Sequence, residues 1–153
     1  MSPEFSIKTI GGGSLGQERD GSCLLEKHLI TPTKKKLTPN QLSTGLFAWK
    51  VVKHTKSNAI VVAKNNKIIS ISGGQTSRVD ATKIAFEKTK IPKGCIVASD
   101  AFFPFKDSIE KMAQYNIAAI IQPGGSIRDK EVVESCNKNK IAMAFTGFRV
   151  FKH

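Results

Sequence analysis

Val97-Ala98-Ser99-Asp100-Ala101-Phe102-Phe103-Pro104-Phe105-Lys106-Asp107 begins as the end of an apolar strand and finishes as the first turn of a helix. Between the two lie three phenylalanines around a proline, with a carboxylate on either side. Large aromatics are unusual in a loop, because loops run over the surface and leave apolar area wet. Pro104 fixes its own φ and pushes Phe103 toward an extended backbone, so the rings are held in place. Two readings follow. The rings form an apolar slot for a flat ligand at the mouth of an α/β sheet, or they cap the core.

Outward from this stretch, strand and helix alternate. Downstream, Ile117 to Ile121 is a wholly apolar strand, Ser126 to Asn139 a helix carrying Val132, Val133 and Cys136, and Ile141 to Phe145 a final strand. The stretch itself joins a strand over 95–99 to a helix over 106–115, with Ile109, Met112 and Ala113 on one side. Upstream, Thr38 is a good N-cap and Pro39 suits the first helical position. Leu42, Leu46 and Trp49 then recur at helical spacing, which predicts one buried face with Trp49 in the core. Ala59 to Lys64 and Lys67 to Ile71 are rich in Val and Ile and flank Asn65-Asn66, a pair that tolerates φ > 0 and predicts a tight hairpin. Gly73-Gly74 closes that hairpin, a helix follows from Thr76 or Ser77 to Thr89, and Pro92-Lys93-Gly94 turns the chain. Apolar runs without alternation are what strands buried on both faces look like, and strand–helix alternation implies right-handed crossovers. The fold class is therefore α/β: a three-layer α/β/α sandwich, its sheet mostly parallel with an antiparallel edge hairpin.

The domain so defined covers 38–153. Residues 6–37 read as an irregular N-terminal segment around Gly11-Gly12-Gly13, with a short strand possible at Cys23 to Leu25. Residues 1–5 resemble translated cloning-vector sequence and stand outside the fold.

With 153 residues, 40% of them hydrophobic and 24% charged, the chain suits one ordinary globular domain. No run is long enough to span a membrane and no signal peptide is visible, so a cytoplasmic protein is expected. Cys23, Cys95 and Cys136 are far apart and form no Cys-x-x-Cys pair, which argues against disulfides and zinc. The formal net charge of +12 favours anionic partners. Its basic runs, Lys34-Lys35-Lys36 and Lys88 to Lys93, are not interleaved with aromatics as a single-strand binding groove would be, so nucleic acid is not an expected partner.

Ligands of such sheets sit beyond the carboxyl ends of the strands. Four loops reach that edge: Ser70 to Arg78, the Phe-Phe-Pro-Phe loop, Gln122 to Asp129 and Phe145 to Arg149. Paired glycines before a helix let backbone N–H groups approach an acceptor, where the helix dipole favours negative charge. Ser126 and Asp129 match capping-box spacing, so Ser126 is expected first of all to cap its helix. Two glycine pairs, an aromatic slot and Arg149 together describe a cleft for a flat ring with anionic tails.

The same loops carry a resemblance. Lys56-Ser57-Asn58-Ala59-Ile60, Gly74-Gln75-Thr76-Ser77-Arg78-Val79-Asp80, Ala98 to Phe105, Gln122 to Asp129 and Phe145-Thr146-Gly147 occur in that order. Together they resemble the C-terminal part of the transformylase domain of the bifunctional AICAR transformylase/IMP cyclohydrolase family. Gln17-Glu18-Arg19-Asp20 is similar to that family's Gln-Asp-Arg-Asp, and the likeness runs over residues 6–153.

The resemblance implies a cytidine-deaminase-like fold. It also implies formyl transfer from 10-formyltetrahydrofolate, as co-substrate, to the exocyclic amine of aminoimidazole carboxamide ribonucleotide (AICAR) in purine biosynthesis, with no metal. By resemblance, Asn58 acts near the reacting amine and formyl group. The backbone at Phe102 holds the carboxamide, Arg149 the phosphate, and His153 lies close by as a second catalytic candidate. Val79, Pro104, Phe105, Asp107, Ser126 and Ile127 line the folate pocket. In this family the catalytic Lys-His pair belongs to a first half of the transformylase that is absent here, as is the cyclohydrolase domain, and Lys53-His54 is not that pair. Val150 replaces a frequent His, and Lys152 a frequent Arg. The chain alone is thus expected to be an incomplete enzyme that forms a homodimer or pairs with the missing half. Alternatives are a non-catalytic folate- or nucleotide-binding module, and a nucleic-acid binder resting on charge alone. A zinc deaminase is excluded by the lack of His-x-Glu and Cys-x-x-Cys motifs.

Overall fold

The computed structural model describes residues 5–18, 24 and 26–152. Two strands, β1 (Phe5–Ile10) and β2 (Gly13–Glu18), form a separate antiparallel ribbon. The main body follows as α1 (Pro39–Lys53), β3 (Ile60–Lys64), β4 (Lys67–Ser72), α2 (Arg78–Glu87), β5 (Ile96–Ser99), α3 (Asp107–Ala113), β6 (Ala119–Gln122), α4 (Asp129–Lys138) and β7 (Ala142–Phe145). Its sheet has the order β4-β3-β5-β6-β7. Strand β3 is antiparallel to both neighbours, whereas β5, β6 and β7 pair in parallel. Four strands therefore run one way, and the single opposed strand lies second from the edge, with β4 outside it.

The elements form for local reasons. The Thr38 side chain accepts from Gln41 N while the Gln41 side chain accepts from Thr38 N, a complete capping box on α1. Asn65 and Asn66 both adopt positive φ, at 50° and 56°, as a hairpin turn matched to strand twist requires. Helix α1 covers one face of the sheet over Trp49, Val52, Val61, Ala98 and Ile121. Helices α2, α3 and α4 cover the other over Phe86, Val97, Phe103, Met112, Ile120 and Cys136. The result is the expected three-layer sandwich.

Three details differ from the sequence reading. The buried stripe of α1 is Thr44, Gly45, Ala48, Trp49 and Val52, while Leu42 and Leu46 lie half-buried at its margin. Gly45 is the cause: a Cβ there would stand 2.8 Å from Ile121 Cγ1, so the helix sits directly on β6. Helix α4 begins at Asp129 rather than Ser126. The segment expected to be irregular contains the β1–β2 ribbon, and Phe5, set aside as vector-derived, is its first residue. Further on, Ile30 bridges Phe145 and Thr33 accepts from Met143 N, so this segment borders β7. The expected strand at Cys23 to Leu25 lies largely outside the described residues.

Candidate functional site

The carboxyl ends of β4, β5, β6 and β7 and the amino end of β3 open onto one edge, and Asp100 is where its loops are tied together. Asp100 follows the last residue of β5 and is fully buried. One carboxylate oxygen accepts from Ala59 N at 3.1 Å and from Arg78 Nη1, and the other accepts from Ser57 Oγ. A buried carboxylate needs this degree of satisfaction, because an unpaired charge in a low-dielectric interior costs several kcal/mol.

Arg78 reaches Asp100 because Ser77 caps α2, accepting from Asp80 N and leaving Arg78 as the first helical residue. Arg78 as a whole is only 7% exposed. It also donates to Ala59 O at 2.9 Å and, from Nη2, to Asn58 Oδ1 at 2.9 Å. On its other side the Asn58 amide donates from Nδ2 to Gln75 O at 3.0 Å, and Asn58 N donates to the same oxygen at 3.1 Å. These bonds fix which way the amide faces. One N–H of Nδ2 and one lone pair of Oδ1 are left for another molecule.

The C-terminal stretch is fastened to the same point. Val150 N donates to Asp100 O at 3.0 Å, Ser57 N to Lys152 O at 2.9 Å, and Lys152 N to Ser57 Oγ at 3.0 Å. Arg149 lies between these anchors with its side chain exposed and its guanidinium carbon 4.8 Å from the centroid of the Phe102 ring. Asn58, Phe102 and Arg149 are thus brought together, with Asp100 as their common neighbour. Arg149 offers planar, forked donors suited to an oxyanion.

The three phenylalanines divide between the two readings. Phe103 is completely buried, and its N–H donates to Gln122 Oε1 at 2.9 Å, so this ring is core. Phe105 is 47% exposed, with the Arg128 guanidinium 4.9 Å from its centroid. That contact brings the Phe105 ring beside the loop that holds Ser126, half-buried, and Ile127, fully exposed. Pro104 is half-buried next to Phe105, and Asp107 is exposed as the first residue of α3. Val79 projects from the first turn of α2 and is 40% exposed. His153 lies outside the described residues.

Ser126 does not form the expected capping box. Its hydroxyl accepts from Arg128 N, and Asp129 reaches back to accept from Gly125 N at 2.7 Å. Gly124 takes φ +73° directly under Phe145, where a Cβ would approach the ring to 2.9 Å, so the loop demands glycine. Two further bonds, Thr146 N to Gln122 O and Gly147 N to Pro123 O, tie this loop to the chain after β7.

Arg78, Asp100, Ser57 and Gln122 are the framework that reading the sequence did not single out. The available signals were an arginine directly after a helix cap, an aspartate at a strand tip, and a glutamine closing an otherwise apolar strand. Among the described residues both thiols are held protonated by burial, which pushes Cys136 up to about 12 and also raises Cys95 despite the opposing pull of Lys64. Among the described residues no group of three or more His, Cys, Asp or Glu side chains could hold a metal. None of their helices is long and apolar enough to cross a membrane. A groove of about 630 Å³ beside Leu42, Leu46 and Phe47 of α1 also takes in Asn66 of the hairpin turn. It therefore lies at the opposite edge of the sheet from the loops above.

Residues 1–88 match the profile of a family described as the AICARFT/IMPCHase bienzyme. Among similar proteins is the bifunctional purine biosynthesis protein PurH of Aquifex aeolicus, 54% identical over 153 residues, covering 97% of this chain and 30% of that protein. The protein of the same name from Caldicellulosiruptor bescii is 50% identical over 150 residues, covering 97% of this chain and 29% of its own length. That from Persephonella marina is 49% identical over 150 residues, covering 95% and 29%. The chain thus spans under a third of the length of these relatives.

Proposed function

The chain belongs to the AICARFT/IMPCHase bienzyme family, and from that membership we propose that it is the C-terminal portion of the transformylase, with a cytidine-deaminase-like fold. On this reading it takes part in formyl transfer from 10-formyltetrahydrofolate to AICAR during purine biosynthesis in the cytoplasm. The observation that carries the proposal is the anchorage at Asp100 of both Asn58 and the segment holding Arg149, whose guanidinium lies over the Phe102 ring.

The aminoimidazole amine is conjugated with its ring and carboxamide and is a poor nucleophile. Catalysis must orient it against the formyl carbon, take up its proton and stabilise the oxyanion that forms as the new C–N bond is made and the bond to the folate nitrogen breaks. Asn58 supplies a neutral donor, its remaining Nδ2 N–H, toward the reacting groups. Arg149 holds the phosphate, and the backbone at Phe102 the carboxamide. Phe105, with Val79, Pro104, Asp107, Ser126 and Ile127, offers the apolar surface on which a pterin ring would lie. Basic side chains at this edge, Arg128 and Lys152 among them, suit the anionic ends of both substrates. His153 is proposed as a group close to the reacting atoms.

In the family the catalytic Lys-His pair belongs to the other half of the transformylase, so the chain alone is proposed to be inactive and to complete its site with that half, in an assembly built on homodimers. Calorimetric titration with AICAR, and separately with a folate analogue, tests the reading, with Asn58→Ala and Phe105→Ala as controls. Binding of both ligands, each lost selectively in its own variant, supports it. Binding with no turnover even when the complementary half is supplied would establish the non-catalytic binding module instead. Robust turnover by the purified chain alone would overturn the claim of incompleteness.

A further inference from the structure

We infer that Asp100 is a positioning residue that couples the two ends of the ribonucleotide site, setting at once the direction of the Asn58 amide and the path of the segment carrying Arg149. The inference rests on the functional reading above for the role of Asn58 and Arg149, but its geometry stands apart from that reading.

Asn58 is bracketed in sequence by two residues that bind the Asp100 carboxylate: Ser57 through its hydroxyl and Ala59 through its N–H. The Asn58 side chain is held by Arg78, which is ion-paired to the same carboxylate. The buried charge therefore fixes Asn58 from both flanks and from the side. Ser57 meanwhile serves two masters. Its hydroxyl donates to Asp100 and accepts from Lys152 N, and its own N–H donates to Lys152 O. With Val150 N on Asp100 O, this makes a clasp on either side of Arg149. A change at the carboxylate must reach both ends.

An ion pair kept only for stability would not need this arrangement. A buried pair is often no more stabilising than apolar residues of the same volume, because desolvating two charges offsets their attraction. What the pair supplies is direction. Carboxylate and guanidinium accept and donate along fixed axes, and charge-assisted bonds hold those axes more firmly than neutral ones.

The test uses the full chain with Asp100→Asn, which keeps shape and removes charge, and Ser57→Ala, which takes the hydroxyl out of the clasp and leaves the ion pair intact. Two readouts are taken: the NMR signals of the Asn58 side-chain NH₂, assigned by their loss in Asn58→Asp, and calorimetric binding of AICAR and of a folate analogue. In Asp100→Asn the Asn58 NH₂ signals should shift or broaden, and AICAR affinity should fall about tenfold or more, as expected for weakening a charged hydrogen bond. Folate-analogue binding should be unchanged. Ser57→Ala should weaken AICAR in the same direction by less, and it decides the matter if Asp100→Asn does not fold. Unmoved Asn58 signals, or equal losses for both ligands, would overturn the inference. If the unaltered chain takes up no AICAR, the functional reading fails, while the Asn58 signals still decide the positioning role.

Discussion

At the β5–α2 end of the sheet edge, both oxygens of Asp100 and both polar atoms of the Asn58 side chain have partners within the chain. At the β6–α4 end, Phe105 is 47% exposed and Ile127 wholly so. Polar groups in a low-dielectric setting must be satisfied before a ligand arrives, or the unpaired group costs more than the ligand returns. Apolar groups face no such demand: an exposed ring or isoleucine costs little until something flat and apolar covers it. The polar end is therefore built in advance and reads as directional. The apolar end is left open, and its specificity must come from the shape and apolarity of what covers it.

If that contrast is right, removal of a side chain should be felt very differently at the two ends. Asp100→Ala strands Arg78 without its counter-charge and should cost about 3–5 kcal/mol, measured by urea denaturation. Ile127→Ala should leave the midpoint unmoved. Equal losses would mean that the two ends are equally built in. The phenylalanines repeat the comparison within three residues. Phe103→Ala should cost about 3–5 kcal/mol as a core cavity, and Phe105→Ala under about 1 kcal/mol. The order should reverse for ligand: Phe105→Ala should weaken a folate analogue by about 1–2 kcal/mol, several-fold to about thirtyfold in Kd, if its ring contributes as a stacking surface.

The same contrast explains what could be read from the sequence. Strand–helix alternation was legible because most strands of the body are short apolar runs close to Gly, Pro or Asn, and because Thr38, Asn65 and Asn66 carry unambiguous local chemistry. The four loops were legible for the same reason. The Asp100–Arg78 pair was not: a charge at a strand tip and another at a helix start 22 residues away reveal nothing of each other until β3 threads between β4 and β5. The start of α4 was missed because Ser126 and Asp129 satisfy two local patterns equally well, and the structure uses the one in which Asp129 turns back to Gly125. The β1–β2 ribbon escaped notice because both strands are largely exposed, so burial imposes no alternation on the sequence. Leu42 and Leu46 recur at the right spacing, yet Gly45 draws the helix onto Ile121 and moves the buried stripe around the axis.

The smallest expected effect asks whether the openness at the β6–α4 end stops at the loop or extends into α4. Cys136, in the last turn of that helix, is completely buried, and its thiol is pushed from an ordinary 9.0 up to about 12 by desolvation. In the unfolded chain the thiol ionises near its ordinary value, so above that pH the unfolded state sheds a proton that the folded state retains. Stability from this group is therefore intact below pH 9 and falls as pH rises toward 12, by about 1.4 kcal/mol per unit. Cys136→Ala should be less stable at neutral pH, through the lost packing, yet lose stability less steeply between pH 9 and pH 10. Cys95, also raised by burial, is common to both proteins, so the difference between their slopes isolates Cys136. Parallel slopes would mean that water reaches the thiol and that α4 shares the looseness of the loop above it. A difference near the expected size would confine the open surface to the residues around Phe105 and Ile127, presented on a helix as tightly closed as the scaffold around Asp100.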